Sequence, residues 1–97
     1  MNIKTVWRAK TIFKRGGVML CKDSEPPSFY HFLVRQRSGA WTDVWYEKKN
    51  GAMEWNCNSV DKSGKFGCVM FVKVDRTKPY CSHTLACKIL LKNQEAK

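Results

Sequence analysis

The chain has 97 residues, 18 of them Lys or Arg against 8 Asp or Glu, for a formal net charge of +10. That length sets a single domain with a modest core, and four tryptophans and five phenylalanines bring large apolar areas to it. No apolar run approaches the roughly 18 residues of a membrane span, and so large a charge excess points to an anionic partner such as nucleic acid or an acidic protein.

The basic side chains are spread along the chain, which favours a folded basic face over a disordered arm. Five cysteines is an odd number, and residues 1–15 carry lysines without the apolar centre of a signal peptide. Reduced thiols in an intracellular protein of the cytoplasm or nucleus are therefore expected rather than a disulfide framework. The first 22 residues hold six basic side chains and no acidic one, but lack the serine-rich composition of an organelle transit peptide.

In chain order, "IKTVWRAKTIFKRGG" places Ile3, Val6, Trp7, Ile12 and Phe13 near helical spacing, with Lys10 interrupting the apolar side. Gly16-Gly17, after a basic last turn, stops this short helix. "GVMLCK" reads as a strand, and "SEPPS" breaks regular structure with Pro26 and Pro27. "SFYHFLVRQ" is a β-rich run. In "WTDVWYEKKNGAMEWNCNS", Asn50-Gly51 between two alternating segments predicts a two-residue hairpin turn.

Counting outward from that turn pairs Lys49 with Ala52, Tyr46 with Trp55 and Val44 with Cys57. Alternation then puts Val44, Tyr46, Met53, Trp55 and Cys57 on one face. "DKSGK" predicts a loop and "FGCVMFVKV" another strand, with Phe66, Cys68, Met70, Val72 and Val74 on one side. From Ser82, Leu85, Ala86, Ile89 and Leu90 form the apolar stripe of a closing helix. The expected class is α+β: a basic N-terminal helix, a small antiparallel sheet and a C-terminal helix, stabilised by zinc. A basic lead-in covers 1–29, the main region 30–91 and a tail 92–97, with no internal repeat or linker.

"KPYCSHTLACKILL" sets Cys81 and His83 two residues apart before the closing helix. Zinc takes four ligands, mostly thiolate and imidazole, in a tetrahedron, and two ligands in a tight turn can reach one ion. Cys57 and Cys68 are the best remaining partners. The opposing possibility is that both are buried apolar thiols, as free cysteines commonly are. Cys87, one helical turn beyond His83, is the reserve ligand, and Asp61 a remote oxygen donor. Cys21 is assigned to structure and His31 to packing within a strand.

The segment from Tyr30 to Leu91 resembles a SWIM-type zinc finger. "EWNCNS" matches the family's first half through Trp55 and Cys57, and "PYCSHTLACKIL" matches the second through Cys81, His83 and the apolar Leu85, Ala86 and Ile89. The resemblance implies a Zn2+ site and an association with DNA or protein. The second residue of the family's first cysteine pair is here Ser59, so Cys68 is inferred to take its place.

A zinc ion with four protein ligands has no position for a reactive water. No phosphate-cradling glycine loop and no catalytic carboxylate pair stands out, so no enzyme activity is expected and no residue is assigned as catalytic. The expected function is nucleic-acid binding, DNA before RNA, through phosphate contacts. The candidate contacts are Lys4, Arg8, Lys14, Arg15, Arg35, Arg37, Lys62, Lys65, Arg76 and Lys78. Trp41 and Trp45 could stack on bases if exposed, although tryptophan in a small domain more often joins the core. The rival function is an adaptor docking an acidic protein; neither a membrane nor a small-molecule substrate is expected.

Overall fold

The computed structural model describes residues 3–58 and 76–95. They form α1 (Ile3–Lys14), β1 (Val18–Leu20), β2 (Phe29–Arg35), β3 (Trp41–Lys49), β4 (Ala52–Asn58) and α2 (Ser82–Glu95). The four strands make one antiparallel sheet in the order β1-β2-β3-β4, an α+β fold. The lead-in is not a separate piece, since β1 joins this sheet and α1 packs on α2. The loop expected over 61–65 and the strand expected over 66–74 lie outside the described residues, and with them Cys68, Asp61, Lys62 and Lys65.

Helix α1 stops at a Schellman turn. Gly17 N–H donates to Ile12 O at 2.9 Å and Gly16 N–H to Phe13 O at 3.0 Å, with Gly16 at φ 70°. That left-handed conformation costs glycine no Cβ clash, which is why the helix ends there. Its inward stripe differs from the expected one. Ala9 and Ile12 are buried and Val6 and Phe13 half-buried, whereas Ile3 and Trp7 are 84% and 68% exposed. Small Ala9 sits in the core together with Ala86 of α2, so this face allows close helix approach. Lys10 is thereby on the solvent side.

The β3–β4 hairpin has the expected register, Lys49 opposite Ala52, Tyr46 opposite Trp55 and Val44 opposite Cys57. Asn50 and Gly51 at the turn both have positive φ, 51° and 85°, the backbone that matches the twist of a two-residue hairpin. One face of the sheet presents Phe32, Val34, Val44, Trp55 and Cys57 to α2, which lies against all four strands. Aromatic rings fill this face. Trp55 stacks on Tyr46 at 4.1 Å between centroids and on Phe32 at 6.1 Å.

The opposite face carries His31, Leu33, Asp43 and Trp45, by the pleat of β2 and β3. Trp41 and Trp45 are therefore not core residues: Trp41 is 45% exposed and Trp45 half-buried. Among the described residues no helix is long and apolar enough to cross a membrane.

Phe32 is fully buried where the sheet meets α2. Phe32→Ala is expected to lower unfolding free energy by about 3–5 kcal/mol through lost burial and a cavity. Urea denaturation followed by tryptophan emission measures it.

Candidate metal centre

Cys81 is the N-cap of α2. Leu85 N–H donates to Cys81 O at 3.0 Å, the first bond of the helix. Three residues on, buried Thr84 reaches back: its Oγ1 accepts from Cys81 N–H at 3.1 Å and from Tyr80 N–H at 3.0 Å. This is the reciprocal side-chain bond of a capping box, made here by threonine. It fixes the first turn, and with it the relation between Cys81 and His83. The partial positive charge of the helix start suits a ligand that binds metal as an anion.

The segment before α2 is tied to β4, and this tie brings the helix start to Cys57. Trp55 N–H donates to Arg76 O at 2.7 Å, and Cys57 N–H donates to the Tyr80 hydroxyl at 2.9 Å. Arg76 Nη1 also donates to Asn56 Oδ1 at 2.6 Å. Burial pushes the Tyr80 phenol up to about 12, against the lowering effect of its bond from Cys57, so the hydroxyl stays intact as an acceptor.

One ligand atom from each of Cys57, Cys81 and His83 lies within 4.8 Å of the others, so the group could hold a metal ion. Cys57 Sγ stands 3.6 Å from His83 Nδ1. A tetrahedral zinc with ordinary bond lengths separates a sulfur and a nitrogen ligand by about 3.6 Å. Three of the four expected ligands thus converge at the end of β4 and the start of α2. Cys68, the fourth, lies outside the described residues. Cys87 does not join the group: it is fully buried in α2, where burial pushes its thiol well above the ordinary range.

A second convergence was not foreseen. Cys21, Asp23 and His31 also bring ligand atoms within 4.8 Å of one another, so they too could hold an ion. His31 Nδ1 is 3.0 Å from Asp23 Oδ1, and Nε2 is 2.8 Å from Asp43 Oδ1. Burial lowers the His31 pKa, but the bonds to Asp43 and Asp23 outweigh it and the net shift is upward. A raised pKa means that the charged pairing is fully present below the ordinary imidazole value of about 6.5. It is lost as pH rises through the raised value. The Cys21 thiol is pushed up by burial and by the nearby Asp23 and Asp43. The "CKD" spacing was the visible signal, but only the β1–β2 register sets it against His31.

The expected basic contacts separate into groups. Arg15, Arg35 and Arg37 line one cleft of about 300 Å³ with Gly17 and Gly39, between the end of α1 and the β2–β3 loop. Exposed Trp41 is directly opposite Arg35 in the sheet register. Lys4, Arg8 and Lys14 are exposed along α1 and do not line that cleft. Arg76 and Lys78 are exposed on the segment leading to Cys81.

Tyr80→Phe takes away the acceptor of the Cys57 N–H. The expected cost is about 1–3 kcal/mol, from the loss of a partly buried hydrogen bond. Urea denaturation and faster amide exchange at Cys57 measure it. Compared with protein-family models, with curated proteins and with solved structures, the chain matches none.

Proposed function

We propose that this protein is a zinc-stabilised nucleic-acid-binding module, a non-enzymatic accessory factor that holds DNA phosphates on a basic surface. The observation that carries the proposal is the cleft walled by Arg15, Arg35 and Arg37 in a chain of net charge +10. Guanidinium groups suit phosphate oxygens because their planar donors pair with two oxygens at once. Trp41, exposed beside Arg35, offers a ring face to a base while the arginines hold the backbone.

Zinc in this reading is held by Cys57, Cys81 and His83, as the SWIM resemblance implies, with Cys68 taken to replace the family ligand that is Ser59 here. Three thiolates with one imidazole are a donor set of a structural zinc site. The ion fastens α2 to β4, and with four protein ligands it leaves no position for a reactive water.

A second reading, docking of an acidic protein, is favoured by one observation. Ile3 and Trp7 lie one turn apart on α1 and are 84% and 68% exposed, an apolar ridge beside basic side chains. Aromatic anchors of this kind dominate protein interfaces.

Fluorescence anisotropy with duplex DNA, single-stranded DNA and RNA over a salt series tests the nucleic-acid reading. Affinity is expected to fall log-linearly with salt. Replacing Arg15, Arg35 and Arg37 together by alanine is expected to reduce the slope on duplex DNA by about 2–3. Binding to a protein partner that persists in roughly half-molar salt and needs Trp7 would favour the second reading instead.

Native mass spectrometry with elemental analysis tests the metal. Cys57→Ser, Cys81→Ser and His83→Ala are each expected to remove one zinc per chain and loosen the hairpin–helix half. Cys68→Ser is expected to weaken the same ion; unchanged affinity would remove Cys68 from the ligand set.

A further inference from the structure

Beyond Leu20 the chain runs beside β2 for one more residue, since Cys21 N–H donates to His31 O at 2.8 Å. It then turns back. Ser24 N–H donates to Cys21 O at 3.2 Å, and His31 N–H donates to Ser24 Oγ at 2.9 Å. These bonds anchor the 21–24 turn to the histidine on both sides, so the main chain that carries Cys21 and Asp23 is held beside His31. Trp45 stacks on the His31 ring at 5.5 Å and 8°, which fixes the ring plane.

A metal-binding histidine generally offers one ring nitrogen to the ion and donates the other N–H to a carboxylate. His31 is arranged in that manner. Nε2 faces Asp43 at 2.8 Å, and Nδ1 faces the side where Asp23 and Cys21 converge. A chain with only 8 acidic residues and a net charge of +10 has placed two of them on one imidazole. We propose that Cys21, Asp23 and His31 form a second metal site, for a divalent transition ion of borderline hardness such as zinc, with Asp43 as the positioning residue.

The donors choose the ion. A thiolate and an imidazole favour zinc, cobalt or copper over magnesium or calcium, which take all-oxygen shells. An ion in this site stands where a proton at Nδ1 would, while Asp43 keeps the Nε2 hydrogen. Three protein ligands leave a fourth position. The Asp23 side chain is 62% exposed, so water or an anionic oxygen can complete the shell from solvent. The site lies on the face of the sheet opposite α2, whereas Cys57 lies on the helix-covered face, so the two ions are independent.

The test is native mass spectrometry of the full chain in excess zinc, with competitor titration for affinity. Two zinc ions per chain are expected. Cys21→Ser and Asp23→Asn should each lose one ion with an unchanged far-ultraviolet spectrum, and Cys81→Ser should lose the other. Asp43→Asn should keep both ions and weaken the second roughly 10–100-fold, the cost of removing a carboxylate behind a ligating histidine. A single ion that Cys81→Ser abolishes, or two ions that survive both Cys21→Ser and Asp23→Asn, would overturn the proposal and leave an ion-pair network around His31. Loss of the Cys81 ion alone, with the Cys21 ion retained, would count against the other site and not this one.

Discussion

Helix α2 covers one face of the sheet formed by the four described strands, and the strand pleat then decides which side chains meet it and which turn to the opposite face. Along β2 and β3, Phe32, Val34, Val44 and Tyr46 go toward the helix, while His31, Leu33, Asp43 and Trp45 go outward. Cys57, opposite Val44, goes inward and meets the start of α2. A one-residue slip in any pairing would exchange these sets and dissolve both side-chain clusters. The core is therefore a means of holding register as much as a source of stability.

That register is held from the hairpin outward. Asn50-Gly51 fixes β3 against β4, and β4 in turn holds the segment before α2 through Trp55 and Cys57 backbone donors. The helix start is thus placed by hydrogen bonds that do not involve the ligand atoms. Thr84 completes the placement by satisfying the N–H groups of Tyr80 and Cys81. Donors that would otherwise be orphaned at a half-buried helix terminus are paired, which gives the trio a defined geometry.

Much of this was legible in the residues. The hairpin register follows from a turn whose two residues tolerate positive φ, so counting from it reaches Cys57 without further assumption. The helix beginning at Ser82 follows from its stripe and from the proline before it. The inward face of α1 did not follow, because Ile3 and Trp7, two large apolar side chains of the expected stripe, are exposed while small Ala9 is fully buried. Helix approach selected Ala9, and hydrophobicity alone does not reveal that choice. The Cys21–Asp23–His31 group was hidden for a different reason: no two-residue turn joins β1 to β2, so the sequence carries no counter for their register. Composition left the burial of Trp41 and Trp45 open, because it does not tell which face of a sheet a helix will cover.

The neighbour-to-neighbour order of the strands also bears on how the chain assembles. Among the described residues each of β1 to β4 pairs with the strands adjacent to it in sequence, and such local contacts form quickly because little chain entropy is lost. Bringing Cys57 to His83 joins residues 26 apart, a longer closure than the hairpins require. An ion held there would act on strands that have already met, as a clasp on a finished sheet that closes only once α2 has docked.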